Sequence, residues 1–133
     1  MCGIAGFFNY KNTDAVDPVL IRRMCDSIRH RGPDDEGFFL DQDVRLALGH
    51  RRLSIIDIAS GAQPMSNAGG TIWIVFNGEI YNFPDLKCEL SALGCKFRTN
   101  SDTEVILYLY QAYGESGFVR LNGIFSPPAP PYF

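Results

Sequence analysis

The chain has 133 residues, of which 46% are hydrophobic and 20% charged, and these proportions exclude a disordered or fibrous protein. Its 12 basic and 15 acidic residues give a formal net charge of −3, a balance that argues against a nucleic-acid partner or an acidic membrane surface. A chain of this length buries about two thirds of its unfolded surface, so one domain is expected to fold without disulfides or a structural metal.

The amino-terminal segment is apolar but lacks the features of a secretory signal. It has no basic leading residues, and it turns polar at Asn9 and Lys11. No other stretch is long and apolar enough to span a bilayer. We therefore expect a cytoplasmic protein with reduced thiols and no membrane partner.

The first part of the chain predicts a strand and then a helix. The segment Gly3–Phe8 is typical of a buried strand. Asp17 and Pro18 form a helix-start signal. Apolar residues then recur at every fourth position, at Leu20, Met24 and Ile28. Residues 31–37 are rich in glycine, proline and aspartate, which indicates a loop.

The middle of the chain predicts further strands. Side chains alternate over residues 44–49, and residues 38–40 are placed to pair with them across a turn at 41–43. Another short strand is expected at 53–56, followed by a loop at 61–70. Residues 71–76 are nearly all β-branched or aromatic, so they predict the strongest strand, buried on both faces.

Two helices are predicted in the remainder. The first is opened by Pro84 and closed by Gly94, and its apolar positions are Leu86, Leu90 and Leu93. The second is introduced by Ser101-Asp102-Thr103-Glu104, in which Ser101 and Glu104 have the spacing of a capping box, and it ends at Gly114. Because the early strands follow one another without intervening helices, an α+β layered domain fits better than a doubly wound sheet.

Cys2 is the first candidate for chemistry. If Met1 is removed, Cys2 carries both a thiol nucleophile and a free α-amine, which titrates at about pH 8 and can serve as the base for its own side chain. The alternative is a small buried hydrophobic residue near the terminus, since free cysteine is often buried. Position alone leaves both interpretations open.

The other cysteines and the histidines are interpreted as structural. Cys25, Cys88 and Cys95 show neither a Cys-x-x-Cys pair nor a histidine at zinc spacing, so we expect packing roles and no metal site. Cys95 is expected at a strand start. His30 and His50 stand beside arginines, which disfavours a protonated imidazole, and both are expected to be hydrogen-bonded structural groups.

Arg51 and Arg52 are adjacent at the end of a predicted strand, so their side chains must point in opposite directions. An arginine fork binds a carboxylate through two parallel hydrogen bonds, which makes one of the pair a candidate substrate anchor. The alternative is a surface arginine paired with Asp57 or Glu36.

The segment after the strongest predicted strand combines an amide, a glycine and a carboxylate. Asn77 and the backbone N–H of Gly78 could together form an oxyanion hole, with Glu79 beside them. A hairpin turn would use the same Asn-Gly pair. Asp102 lies in the first turn of its predicted helix, where its alternative role is to interact with the helix dipole.

Seven segments, in this order, resemble the glutaminase domain of glutamine-hydrolysing asparagine synthetases, which are class II glutamine amidotransferases of the N-terminal-nucleophile hydrolase superfamily. The resemblance runs from Cys2 to about Phe125. The segments are Met1-Cys2-Gly3-Ile4-Ala5-Gly6, Arg31-Gly32-Pro33-Asp34, Gly49-His50-Arg51-Arg52-Leu53-Ser54-Ile55-Ile56-Asp57, Gln63-Pro64-Met65, Phe76-Asn77-Gly78-Glu79-Ile80-Tyr81-Asn82, Ser101-Asp102-Thr103-Glu104 and Leu121-Asn122-Gly123-Ile124-Phe125.

The resemblance implies a four-layer α/β/β/α sandwich in which Cys2, freed of Met1, attacks the side-chain amide of L-glutamine. Ammonia leaves, and water hydrolyses the thioester to glutamate. The implied oxyanion hole consists of Asn77 and Gly78. The implied partners of the substrate α-carboxylate are Arg52 and the backbone of Leu53, Ser54, Ile55 and Ile56, and those of its ammonium group are Glu79 and Asp102.

The resemblance also implies what lies outside this chain. In the whole enzymes, ammonia passes to a synthetase domain that uses ATP and Mg to activate aspartate, whereas the glutaminase domain needs no cofactor. The sequence carries no glycine-rich pyrophosphate loop. Residues 1–125 are interpreted as a partial glutaminase domain, incomplete at its C-terminus, and residues 126–133 as a proline-rich tail that departs from the family.

Several alternatives stay open. The chain could be the glutaminase domain of another class II amidotransferase, although its His50-to-Ile55 segment is of the synthetase type. It could instead be a non-catalytic truncated remnant. The expected partners are L-glutamine and the synthetase domain. A homodimer is a further alternative that the sequence leaves open.

Overall fold

A computed structural model describes residues 2–11, 13–53 and 61–125, and the chain divides into two compact units, Met1–Pro64 and Met65–Phe133. Both units contain helices and strands, which confirms the α+β class. None of the helices in these described ranges has the length and apolar character needed to cross a membrane. Residues 54–56 of the strand predicted at 53–56 lie outside the described residues, and so does the proline-rich tail at 126–133.

The elements of the described residues follow one another in chain order. The helices are α1 (Pro18–Ser27), α2 (Phe83–Ala92) and α3 (Asp102–Tyr113), with short 3-10 helices at Arg29–Arg31 and Gly114–Arg120. The strands are β1 (Gly3–Phe8), β2 (Asp35–Asp41), β3 (Leu46–Arg52), β4 (Met65–Ser66), β5 (Trp73–Ile74), β6 (Gly78–Ile80) and β7 (Gly123–Phe125).

The first unit contains an antiparallel sheet with the strand order β1-β3-β2. The predicted hairpin is confirmed, since β2 and β3 pair from Asp41 opposite Leu46 to Asp35 opposite Arg52. The Asp41 carboxylate forms the turn by accepting hydrogen bonds from the backbone N–H groups of Asp43 and Val44, at 2.9 and 3.0 Å. Because β3 continues to Arg52, Leu53 follows this strand and does not open a new one.

Strand β1 lies where the sequence predicts a buried strand, but only part of it is buried. Its residues alternate between covered and exposed positions, with Ile4 and Phe8 among the exposed ones. Among the described residues of this unit, β1 pairs only with β3, and α1 packs against one face of the sheet. Alternate side chains therefore remain uncovered within this unit.

Helix α1 confirms the predicted start and shifts the predicted buried stripe. The Asp17 side chain caps the helix by accepting from the Val19 backbone N–H at 2.8 Å. Ile21 and Cys25 form the buried centre of the helix, whereas Leu20 is 44% exposed. The prediction for Leu20 was wrong because a spacing of four residues selects a line along the helix but not the direction in which the core lies.

The sheet and α1 approach each other most closely at Gly49. A Cβ atom placed there would lie 2.4 Å from the Cys25 sulfur and 3.2 Å from Ile21 Cδ1. Cys25 is fully buried, so the sulfur has no solvent space into which it can move. The absence of a side chain at Gly49 therefore sets the helix-to-sheet distance.

We predict that Gly49→Ala lowers the free energy of unfolding by about 1–3 kcal/mol, the usual cost of overpacking. Combining it with Cys25→Ala should recover part of this loss, because the added methyl group then occupies the space of the sulfur. Urea unfolding of the wild type, both single variants and the double variant measures the coupling, expected at about 1 kcal/mol. Additive effects would contradict the proposed contact.

The second unit is built around the packing of α2 against α3. The cluster of buried side chains at this contact consists of Leu86, Leu90, Val105, Tyr108 and Leu109. Pro84 opens α2, and Gly94, at a φ of 94°, follows its end, as predicted. Leu93, predicted to be part of the apolar stripe, is exposed.

The predicted strand at 71–76 is much shorter in the structure. Only Trp73–Ile74 is a strand, paired with Met65–Ser66, and Trp73 is 36% exposed. The Asn67 side-chain oxygen accepts hydrogen bonds from the backbone N–H groups of Thr71 and Ile72, at 2.9 and 3.2 Å. These two donors therefore bind an amide side chain instead of a neighbouring strand, which shortens the ladder.

Glu89 and Arg120 join α2 to the segment after α3. Two guanidinium nitrogens of Arg120 donate to the Glu89 carboxylate, and the Tyr113 hydroxyl donates to it at 2.7 Å. These hydrogen bonds, first from Arg120 and then from Tyr113, lower the pKa of Glu89 to about 2. The hydrogen bonds of Arg120 with Glu89 and, to a smaller extent, with Tyr113 raise the pKa of Arg120 above its ordinary value.

We predict that this lowered pKa makes the chain sensitive to acid. Because the pKa of Glu89 falls on folding, its contribution to stability is complete above about pH 4.5 and is lost as the pH falls towards 2. Carbon-13 NMR titration of the Glu89 carboxyl measures the midpoint. Arg120→Gln should raise it most and Tyr113→Phe less, and added salt should also raise it because the pair is half-exposed. An unchanged midpoint in Arg120→Gln would show that the hydrogen bonds are not its cause.

Candidate active site

Cys2 lies at the end of the first unit's sheet where β1 begins and β3 ends. Gly3 pairs with Arg51, so Cys2 is next to the end of β3. The Leu53 backbone N–H donates to the Cys2 sulfur at 3.5 Å, and the Arg31 side chain donates through Nε to the Cys2 carbonyl at 3.3 Å. Cys2 is half-buried, unlike Cys25, which disfavours the interpretation as a buried hydrophobic residue.

Arg51 and Arg52 have separate environments, as predicted for neighbours on a strand. Arg51 is 6% exposed, and its guanidinium donates to the carboxylate of Asp26, to that of Glu36 at 2.7 Å and to the Cys25 carbonyl at 3.2 Å. The predicted alternative of a pair with Glu36 is therefore found, but it belongs to the buried Arg51. Arg52 is half-buried on the opposite face of β3.

The three remaining cysteines differ from one another. Burial raises the pKa of the Cys25 thiol, and the positive charge of Arg51 partly opposes this effect. Burial also raises the pKa of Cys95, which packs against the α2–α3 cluster. Cys95 does not open a strand, since residues 95–100 form an irregular segment. The predicted packing role is wrong for Cys88, because its place on α2 is exposed to solvent.

The histidines occupy different surroundings. His50 is buried within β3, whereas His30 is exposed in the short 3-10 helix Arg29–Arg31. Among the described residues, histidine, cysteine and carboxylate side chains form no group of three that could hold a metal ion.

In the second unit, Asn77 and Gly78 do not form the hairpin turn that was one interpretation of this dipeptide. Gly78 opens β6, which pairs antiparallel with β7. A Cβ atom at Gly78 would lie 2.4 Å from Phe125 Cβ and 2.5 Å from the Ile124 carbonyl oxygen. The close approach of β7 therefore requires glycine here, whatever its role in chemistry.

Asp102 connects the start of α3 to β6. It lies in the first turn of the helix, as predicted, and its Oδ2 accepts a hydrogen bond from the Ile80 backbone N–H at 3.0 Å. Glu79, the neighbour of Ile80 on β6, is exposed. The structure thus brings Asp102 to the strand that carries Gly78 and Glu79.

The candidate residues are divided between the two units. Cys2, Arg52 and Leu53 belong to the first, and Asn77, Gly78, Glu79 and Asp102 to the second. The other predicted backbone contacts, at Ser54, Ile55 and Ile56, lie outside the described residues.

Two contacts at these positions could not be assigned from the sequence. The Arg31-Gly32-Pro33-Asp34 segment carries part of the family resemblance, but it does not identify the Cys2 carbonyl as the acceptor of the Arg31 side chain. The bond between Asp102 and Ile80 uses a backbone N–H, which leaves no signal in the sequence.

Comparison with known proteins identifies relatives over nearly the whole chain. The sequence profile of the glutamine amidotransferase domain matches residues 1–127. Asparagine synthetase [glutamine-hydrolyzing] 1 of Bacillus subtilis is 48% identical over 128 residues, which are 95% of this chain and 20% of the relative. Asparagine synthetase [glutamine-hydrolyzing] 1 of Arabidopsis thaliana is 43% identical over 126 residues, 95% of this chain and 21% of the relative. The chain thus spans about a fifth of the length of these curated relatives.

Proposed function

Because this chain belongs to the glutamine amidotransferase domain family, we propose that it is the glutaminase portion of an asparagine-synthetase-type enzyme, which converts L-glutamine and water to L-glutamate and ammonia. The observation that carries this proposal is the surroundings of Cys2. Its half-buried sulfur lies 3.5 Å from the Leu53 backbone N–H, directly after Arg52. The proposed nucleophile, Cys2, and the proposed carboxylate anchor, Arg52, therefore lie at the same end of one sheet.

The proposed reaction begins after Met1 is removed. The free α-amine of Cys2 takes the thiol proton, and the sulfur attacks the amide carbon of glutamine. The carbon–sulfur bond forms, the carbon–nitrogen bond breaks, and the nitrogen leaves as ammonia with the transferred proton. Water then hydrolyses the thioester, which releases glutamate and restores the thiol.

The proposed binding roles follow the charges of the substrate. Arg52, with the backbone of residues 53–56, binds the α-carboxylate. Glu79 and Asp102 bind the α-ammonium group, while Asn77 and Gly78 stabilise the oxyanion of the tetrahedral intermediate. Carboxylates on a cation and a guanidinium on a carboxylate are both charge-assisted pairs. The fold proposed for the domain is the four-layer α/β/β/α sandwich of N-terminal-nucleophile hydrolases.

In the whole protein, the ammonia is proposed to feed ATP-dependent amidation of aspartate in a synthetase domain. This follows from the names of the relatives, which are glutamine-hydrolysing asparagine synthetases. ATP and Mg belong to that second domain, and no cofactor is proposed for the glutaminase portion. We place the protein in the cytoplasm, where thiols stay reduced.

Two alternatives are tested by simple observations. A different class II amidotransferase would use the same glutaminase chemistry with another acceptor, which assays of the full-length protein with aspartate would distinguish. A non-catalytic remnant would be indicated by intact mass if Met1 is retained, because Cys2 then has no free amine.

We predict that Cys2→Ala abolishes glutamine hydrolysis, since it removes the sulfur that forms the thioester. Cys88→Ala, on an exposed helical position, is the matched control and should keep wild-type activity. Glutamate release measures turnover, and a glutamine-analogue diazoketone followed by peptide mapping locates the reactive thiol. An adduct on Cys25, Cys88 or Cys95, with Cys2 unmodified, would refute the assignment.

We predict that Arg52→Ala raises KM for glutamine about tenfold or more, because it removes charge-assisted bonds to the bound α-carboxylate. The value of kcat should change little, since these bonds exist in both ground and transition states. Arg23→Ala, an exposed arginine on α1, serves as the control. Equal KM values in the two variants would exclude Arg52 as the anchor.

A further inference from the structure

Glu104 is a buried carboxylate that does not have the role predicted by its sequence position. It lies in the first turn of α3 and is 1% exposed. In a capping box its side chain would accept from the Ser101 backbone N–H, but this N–H donates to the Thr99 hydroxyl oxygen at 3.1 Å. Only the other half of the box is present, in which Ser101 Oγ accepts from Thr103 N at 3.2 Å.

The charge of Glu104 is instead held by the segment before the helix. Its Oε1 accepts from the Arg98 backbone N–H at 2.9 Å, and its Oε2 accepts from the Thr99 backbone N–H and hydroxyl, both at 2.7 Å. A buried carboxylate needs such donors to be tolerated. The Thr99 hydroxyl is the link in this network, because it donates to Glu104 and accepts from Ser101.

This network fixes the residue that precedes Asp102. Ser101 is held on one side by Thr99 and on the other by its cap on the helix. Asp102 follows directly and directs its Oδ2 to Ile80 of β6, at 3.0 Å. The place of this carboxylate relative to β6 therefore depends on how Glu104 holds residues 98–101.

We propose that Glu104 and Thr99 are positioning residues for the α-ammonium group of glutamine, acting through Asp102. This inference rests on the proposed function, in which Asp102 and Glu79 receive that group. Neither Glu104 nor Thr99 contacts the substrate. They hold the start of α3 so that Asp102 stays beside Glu79 on β6, and a small displacement weakens a charge-assisted bond whose geometry is strict.

Two variants disturb the network and two matched controls do not. Thr99→Val keeps the branched shape but removes the hydroxyl, whereas Thr99→Ser keeps the hydroxyl. Glu104→Gln places an NH2 donor against a backbone N–H in either orientation of its amide, because both oxygens of Glu104 accept. Tyr113→Phe removes a hydrogen bond to Glu89 at the other end of the same helix.

The first measurement is amide hydrogen exchange at Ile80 in the 133-residue chain, followed by NMR. Thr99→Val and Glu104→Gln should accelerate this exchange about tenfold, because the Asp102 acceptor is no longer held in place. Thr99→Ser and Tyr113→Phe should exchange as the wild type does. If Glu104→Gln does not fold, Thr99→Val decides the test, since it removes a single hydroxyl. Unchanged exchange in Thr99→Val overturns the positioning role.

The second measurement compares L-glutamine with 5-amino-5-oxopentanoic acid, which lacks the α-amino group. Thr99→Val should raise KM for glutamine about tenfold with kcat within about twofold, and should leave KM for the analogue unchanged. Equal rises for both compounds would show a merely structural role and overturn the inference. If the wild type hydrolyses neither compound, the proposed function fails, and the exchange at Ile80 alone decides whether Thr99 and Glu104 position Asp102.

Discussion

The first unit depends on the burial of one positive charge, that of Arg51. A guanidinium removed from water must be compensated by hydrogen bonds and by opposite charge. Arg51 obtains both from Asp26 and the Cys25 carbonyl on α1 and from Glu36 on β2, while its own backbone lies in β3. One side chain therefore ties the helix to two strands. The end of β3 is held at this point, and Leu53, which contacts the Cys2 sulfur, follows two residues later.

The strand geometry then separates a structural arginine from a functional candidate. Because side chains alternate along β3, fixing Arg51 on the helix side leaves Arg52 on the other face. Two adjacent arginines that the sequence alone does not distinguish thus have different surroundings. This is also why the pairing of an arginine with Glu36 does not argue against a carboxylate anchor at Arg52.

Local signals in the sequence identified most helix ends and the hairpin, because Asp17, Pro84, Gly94 and the turn at 41–43 act through their immediate neighbours. Two predictions failed where a distant group decided the outcome. The core side of α1 is set by Gly49, so Ile21 is buried in preference to Leu20. The Asn67 side chain takes donors that a longer β5 would have used. Residue type and motif were enough to name candidate site residues. Their hydrogen-bond partners could not be predicted in the same way, because these partners are largely backbone atoms.

The second unit shows the same dependence on a buried charge, now negative. Glu104 accepts hydrogen bonds from the backbone N–H groups of Arg98 and Thr99 and so holds this segment against α3. Ser101, and not Asp102, caps the first turn of the helix. The Asp102 carboxylate is bound to the backbone of β6. An ionised carboxylate has two oxygens with about four acceptor sites, so Asp102 can accept from the Ile80 N–H through Oδ2 and from the Thr103 hydroxyl through Oδ1 and still bind a cation. Because Ser101 caps the helix and Asp102 accepts from β6, the proposed ammonium-binding role of Asp102 is consistent with the hydrogen bonds that surround it.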